Sequence, residues 1–302
     1  MQFLSMSIVV NHLSKFYTNQ KALDSLSFSI EKGEVVGFLG PNGAGKSTLM
    51  KLLTGYLQAS EGTAQINGLD CSQQRVLAQK NIGYLPEHNP LYKEMYVREY
   101  LQFIAEIHKV PKTEITSTLQ KVGLLSEAHK KIQQLSKGYQ QRVGIAAAVL
   151  HQPDVLILDE PTTGLDPNQL MEIRTLIKEI GKEKTVLFST HILQEVEAVC
   201  NRVLILHKGK LVADKQLKSL KEGQAQIIEV TFDFQLEKRF FEELLSLKEA
   251  VNIRETTWEL TFETQEDQRA EVFDFALKKG LKILNLTTKN KSLVALFQEL
   301  TQ

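Results

Sequence analysis

The run Gly40-Pro41-Asn42-Gly43-Ala44-Gly45-Lys46-Ser47-Thr48 is the part of the sequence best suited to do chemistry. It fits the P-loop pattern G-x-x-x-x-G-K-[ST], in which glycines let the backbone curl so that successive N–H groups point inward at phosphate oxygens. An apolar strand over Glu34 to Leu39 enters the loop, and a helix leaves it and ends near Gly55. The N-terminus of that helix adds partial positive charge where phosphates would sit. Lys46 reaches the β- and γ-phosphates of a nucleotide as a point charge, and Ser47 offers its hydroxyl to Mg²⁺. A plain glycine turn ahead of a helix is the alternative. The full pattern in its strand–loop–helix context argues against it.

A second centre lies in Val155-Leu156-Ile157-Leu158-Asp159-Glu160, an apolar strand ending in two acids. The sequence places this strand beside the P-loop strand, and ligands of such sheets sit at the carboxyl ends of strands. There Asp159 would hold Mg²⁺, directly or through water, and Glu160 would polarise an attacking water. A solvated acidic turn is the ordinary alternative, and the neighbouring P-loop weakens it.

These centres need a scaffold. Leu26, Phe28 and Ile30 alternate with polar residues, as in a half-buried strand. Residues 63–67 and 81–85 read as further short strands. From about 97 to 150 the pattern is helical, with Leu101, Ile104, Ala105 and His108 on one face. Strands then recur at Val155 to Leu158, at Thr185 to Phe188 and near 202–213, with a helix from His191 to Cys200. Strand–helix alternation with a helical insertion predicts an α/β domain with a mostly parallel core sheet.

Composition shifts after Gly223. Ile228, Val230 and Phe232 alternate, as do Trp258, Leu260 and Phe262. Helical patterns near 236–248 and 266–279, a strand at about 281–287 and an amphipathic helix through Leu293, Leu296, Phe297 and Leu300 complete the chain. The order β-α-β-β-α-β plus a final helix suits a small ferredoxin-like α+β domain. The expected domains are therefore 5–222, with a helical subdomain at about 88–150, and 223–302.

With this frame in place, the chain resembles the ABC-type ATPases over roughly residues 7–220. Tyr17 stands where the family has an aromatic that stacks on adenine, although a Tyr after a strand is also ordinary packing. Glu87, in Gly83-Tyr84-Leu85-Pro86-Glu87, stands at the Q-loop position and would serve Mg²⁺. Leu135-Ser136-Lys137-Gly138-Tyr139-Gln140-Gln141-Arg142 resembles the signature motif, in which Ser136 and Gly138 would contact the γ-phosphate of ATP on an opposite subunit. Gly164-Leu165-Asp166 resembles the D-loop, and His191 stands at the switch-histidine position. The resemblance implies ATP and Mg²⁺ as cofactors, two copies sandwiching ATP, and a separate transmembrane permease.

The pattern departs from the family in places. Glu87 replaces the usual Gln, adding negative charge and losing an N–H donor. Lys137 and Tyr139 replace a glycine and a glutamine of the signature, which bears on turnover more than on activity itself. Leu91, Tyr92 and Met95 follow the Q-loop position, where they either line a docking groove for a membrane subunit or belong to the core. Within the family the chain is most similar to exporter-type subunits of the gliding-motility-associated kind, with multidrug-type exporters close by.

Composition excludes several other classes. At 302 residues, 42% hydrophobic and 24% charged, the chain has enough apolar residues for a core. Lys+Arg and Asp+Glu both total 36, so no global basic surplus points to nucleic acid. Cys71 and Cys200, the only cysteines, suit a reducing compartment and lack metal-type spacing. Met1 to Val10 lacks the features of a signal peptide, and no apolar run approaches the ~20 residues that span a bilayer. The expected location is cytoplasmic, peripheral on the inner face of the membrane. A soluble ABC ATPase acting on ribosomes or DNA is the alternative, set back by the single P-loop and the lack of sustained heptads. Glu160 and His191 argue against an inactive scaffold.

Overall fold

The computed structural model describes residues 6–18, 20–218, 226–264 and 266–289, together with Phe297. Contacts divide the chain into two compact units, Met1–Lys215 and Gln216–Gln302.

The first unit opens with two long antiparallel strands, β1 (Met6–Tyr17) and β2 (Gln20–Glu31). Leu26, Phe28 and Ile30 of β2 are buried. The P-loop strand β3 (Val35–Leu39) follows, then α1 (Lys46–Leu53), β4 (Glu61–Ile66), β5 (Leu69–Asp70), α2 (Arg75–Lys80) and β6 (Ile82–Leu85). The helical insertion comprises α3 (Val97–His108), α4 (Thr113–Lys121) and α5 (Lys137–Val149). The chain returns through β7 (Val155–Asp159), α6 (Pro167–Gly181), β8 (Thr185–Thr190), α7 (Leu193–Val199), β9 (Arg202–His207) and β10 (Lys210–Gln216).

One sheet has the order β2-β1-β4-β5 and the other β10-β9-β3-β8-β7-β6. The pairs from β9 through β3, β8 and β7 to β6 are parallel. Both faces of this sheet are covered, which is why β3 and β7 are unbroken apolar runs rather than alternating ones. On one face Val36, Phe38, Leu49 and Leu187 pack with Ile8 and Ile30. On the other Leu156, Leu158 and Phe188 pack with Leu101, Leu119 and Val143 of the helical insertion. In α3, Leu101 and Ala105 are buried, whereas His108 of the same predicted face is exposed.

The sheet order corrects one expectation. The strand carrying Asp159 and Glu160 is not beside the P-loop strand, because β8 lies between them, pairing Leu39 with Thr190 on one side and Asp159 with Ser189 on the other. Short apolar strands read alike in sequence, so their order is not written in periodicity. A second correction concerns His191. The helix begins at Leu193, and His191 lies in the bend ahead of it, with Ile192 in an extended conformation.

The second unit comprises β11 (Gln226–Phe232), a 3₁₀ helix (Lys238–Glu243), β12 (Leu247–Arg254), β13 (Thr257–Phe262), α8 (Arg269–Lys278) and β14 (Ile283–Thr288). Its sheet has the order β12-β13-β11-β14 with every neighbouring pair antiparallel. Ile228, Val230, Phe232, Leu260 and Phe262 point into a core shared with Phe241, Val272 and Phe275. The helix expected near 236–248 is only a 3₁₀ turn, and from Leu247 onward that stretch is strand. The final helix through Leu293, Leu296 and Leu300 and the boundary at Gly223 lie outside the described residues. Among the described residues, no helix is long and apolar enough to cross a membrane.

Candidate functional site

The P-loop is built by close backbone packing. Gly45 has φ +110°, and a Cβ there would sit 2.6 Å from the Ala22 carbonyl oxygen. At Gly40 a Cβ would sit 2.5 Å from the Leu206 carbonyl oxygen. Only glycine meets both demands, a positive φ and no side-chain volume. Lys46 is buried, and its Nζ donates to the carbonyls of Gly40 at 2.7 Å and Pro41 at 3.3 Å. It thus curls back over the loop it follows.

Glu160 is held in a strained conformation. Its φ is +49°, a left-handed geometry that costs a non-glycine residue about 1–2 kcal/mol. Its N–H donates to the Ser189 hydroxyl at 3.0 Å and to the Ser189 carbonyl at 3.2 Å, which fixes the turn. One carboxylate oxygen lies 3.4 Å from Lys46 Nζ, and the other 2.9 Å from His191 Nδ1. The Thr163 hydroxyl donates to that second oxygen at 3.4 Å. A buried carboxylate needs such partners, because burial disfavours its charge.

Asp159 is buried at the end of β7, and the Ser189 hydroxyl donates to its Oδ1 at 2.5 Å. The same hydroxyl therefore accepts from Glu160 and donates to Asp159, orienting both acids. Burial, and then the charges of Asp159 and Glu87, push the Tyr84 phenol well above its usual value. Asp159, the last residue of β7, and Glu87, in the bend that follows β6, thus act on one neighbourhood.

These groups converge on a cavity of about 520 Å³. Of the residues singled out in the sequence, Tyr17, Asn42, Gly43, Gly45, Lys46, Ser47, Thr48, Glu87, Glu160 and His191 line it. Gly40, Pro41, Ala44 and Asp159 are not among the lining residues. Gln20, Ala22 and Thr163 line it without having been anticipated. Tyr17, at the end of β1, is 47% exposed, and the Lys15 ammonium lies over its ring, 5.6 Å from the centroid.

Ser136, Gly138 and Asp166 are not brought to this cavity. Ser136 caps α5 by accepting from the Tyr139 N–H at 3.4 Å, and Asp166 caps α6 by accepting from the Gln169 N–H at 2.9 Å. A Cβ at Gly138 would sit 2.9 Å from the Gln169 side chain, and the Lys137 side chain lies against Gly164. The two segments therefore abut each other as a second, separate cluster. Arg142 of α5 reinforces the contact by pairing with Glu172 of α6 at 2.6 Å.

A strand-fed phosphate loop, with two acids at the same rim of a parallel sheet, defines a P-loop nucleotide-binding protein. The family model described as "ABC transporter" matches residues 23–163. An uncharacterised ABC transporter ATP-binding protein, YhcH of Bacillus subtilis, is 34% identical over 97% of this chain and 95% of its own length. The bacitracin transport ATP-binding protein BcrA of Bacillus licheniformis is 33% identical over 98% of both chains. A dimeric structure of a bacterial ABC transporter cassette superposes with a TM-score of 0.64 at 25% identity, over 70% of this chain and 98% of the other. The chain belongs to the ABC transporter ATP-binding family, whose cassettes are nucleotide-binding ATPases coupled to transport.

Proposed function

We propose that this chain is the ATP-hydrolysing subunit of an export-type transporter, working as a homodimer on separate transmembrane subunits at the cytoplasmic face of the membrane. The observation that carries the hydrolytic reading is the Glu160 carboxylate, buried in the wall of the P-loop cavity and hydrogen-bonded to His191 at 2.9 Å. Tyr17 stacks on adenine, and the loop from Gly40 to Thr48 wraps the phosphates. Glu160 polarises the attacking water, and His191 holds Glu160 and the γ-phosphate in register.

The candidate metal ligands all offer oxygen: Ser47 and Glu87 in the cavity lining, and Asp159 buried at the end of β7. Among the described residues no cluster of three or more His, Cys, Asp or Glu forms a protein-only metal cage. That set fits Mg²⁺, which keeps its waters and uses one or two carboxylates plus substrate phosphates. When bound, Mg²⁺ would neutralise charge on the β- and γ-phosphates.

A homodimer is proposed because Ser136, Gly138 and Asp166 form a cluster apart from the cavity. A second copy can bring that cluster to the phosphates, and the related cassette was solved as a dimer. For the permease contact, Tyr92 is 57% exposed and meets Tyr100 and Phe103 edge-on, while Leu91 and Met95 pack against the core. Export, and the narrower gliding-motility or multidrug type, is supported by subgroup resemblance and by the full-length likeness to a bacitracin transport protein. For the second unit we propose a ferredoxin-like fold, on its strand order, and a regulatory or dimer-stabilising role.

The test is affinity purification of the Glu160→Gln protein from detergent-solubilised native membranes, followed by mass spectrometry. A multi-spanning membrane protein should be recovered. Ribosomal or DNA-bound proteins without one would overturn the transporter assignment and leave the ATPase.

A further inference from the structure

His191 occupies the bend between β8 and α7 rather than a helix, so its ring is only as well aimed as that bend is rigid. The residues on either side of it are tied together. The Thr190 hydroxyl accepts from the Ile192 N–H at 3.0 Å and donates to Glu195 Oε2 at 2.6 Å. Ile192 is the N-cap of α7, with no side chain able to cap, and Glu195 is the third residue of that helix. In a capping box a Glu at this position reaches the N-cap N–H directly. Here it reaches it through the Thr190 hydroxyl, and the link spans His191.

Thr190 and Glu195 are both fully buried. A carboxylate removed from water costs stability unless it is hydrogen-bonded or paired. Glu195 Oε2 has Thr190, but Oε1 has no hydrogen-bond partner, and Arg174 of α6 holds a guanidinium nitrogen 4.0 Å away. The Arg174 Nε is buried and also without a partner. Arg174 stands on the helix capped by Asp166. Burial at such a cost, in contact with the bend that aims His191, is what a positioning role requires.

We propose that Glu195 is a positioning residue for His191, acting through Thr190, and that Arg174 ties this staple to the helix that begins at Asp166. This rests on the hydrolytic reading of Glu160 and His191 given above. It makes the hold of His191 on Glu160 depend on where α6 lies, and so on the surface that carries Asp166.

The test is a double-mutant cycle on the full chain, read by steady-state ATP hydrolysis and by equilibrium binding of a fluorescent ATP analogue. Thr190→Val should lower kcat at least about tenfold while nucleotide Kd stays within about twofold. Thr190→Ser, which keeps the hydroxyl, should restore most of the rate. In a His191→Ala background Thr190→Val should add no further loss, because residues acting as a unit are non-additive. Wild-type kcat in Thr190→Val, or the same loss with and without His191, would overturn the proposal. If Thr190→Val does not fold, Glu195→Gln carries the same cycle, with a smaller loss that must also vanish without His191. A wild-type protein that does not hydrolyse ATP, or a fully active His191→Ala protein, overturns the hydrolytic reading and this inference with it.

Discussion

Glu160 and His191 meet at 2.9 Å through Oε2 and Nδ1, although 31 positions separate them in the chain. A carboxylate oxygen accepts, so in this contact Nδ1 of His191 is the donor, and Nε2 is the ring nitrogen left to face a bound phosphate. The other oxygen of Glu160 lies 3.4 Å from Lys46. A phosphate that enters the cavity competes with Glu160 for the Lys46 ammonium. Glu160 is then left with His191 and Thr163, as a carboxylate able to take a hydrogen bond from water.

Glu160→Gln keeps the shape of the side chain and removes its basicity. Loss of a general base at such a site lowers the chemical step by about 10²–10⁴-fold. Nucleotide affinity should be unchanged or higher, because a negative charge facing the phosphates is gone. Single-turnover hydrolysis and equilibrium binding separate the two effects. Size-exclusion chromatography in saturating Mg-ATP should show a dimer, and persisting monomers would remove the two-half-site mechanism.

Two P-loop glycines should respond differently to alanine. Gly43 has φ +79° with nothing within 4 Å of an added Cβ, so Gly43→Ala should cost only the left-handed strain of about 1–2 kcal/mol. Gly45 is strained in the same sense, and its Cβ would also meet Ala22 and Leu23 at 2.6 and 2.7 Å. Overpacking of that kind adds about 1–3 kcal/mol. Urea denaturation of the two variants measures the difference. Equal costs would mean that the loop relaxes away from β2.

The P-loop was legible because its chemistry lies in consecutive residues of restricted type. The strand order was not, because β3 and β7 are both short apolar runs and nothing in either says that β8 separates them. Ser189 was invisible for a related reason. Its hydroxyl serves Asp159 and Glu160 from 30 and 29 positions away, and no local pattern marks a serine for that. In the second unit β12 buries only Ala250, so this edge strand offered no alternation to read. Thr190 and Glu195 look like ordinary residues at a strand end and in a helix. Their role emerges only from burial and distance.

His151 should make the fold sensitive to acid. Its Nε2 lies 3.0 Å from the Ile82 carbonyl, its ring stacks on His108 at 4.1 Å, and its Nδ1 is buried without a partner. Burial first, and then the His108 and Lys184 charges, lower its pKa to about 4 against the opposing hydrogen bond to Ile82. An unfolded chain has the ordinary value of about 6.5. Between these values the unfolded state binds the proton and the folded state refuses it. The stability from this residue is complete above about pH 6.5 and is lost as pH falls toward about 4. Burial lowers the His108 pKa as well, with the same sign. Thermal melts from pH 7 to 4.5 should show a shallower decline for His151→Gln than for wild type. Parallel declines would place the acid sensitivity elsewhere.

Phe241 tests the second unit. It is fully buried in the 3₁₀ turn that stands where the sequence predicted a helix, with ring centroids 4.8 Å from Trp258, 5.7 Å from Phe275 and 6.0 Å from Phe232. A short 3₁₀ turn has little stability of its own, so it is held by what its one buried ring contributes to the core. Phe241→Ala removes that ring and leaves a cavity, at a cost of about 3–5 kcal/mol. Trp258 is the only tryptophan and belongs to this core, so its fluorescence follows this unit. The midpoint of its urea transition should fall markedly in Phe241→Ala. Residues that line the P-loop cavity all come from the first unit, so nucleotide affinity measured without urea should hold. An unchanged Trp258 midpoint would show that the turn does not anchor this core, and the packing of Phe241 would then contribute nothing to its stability.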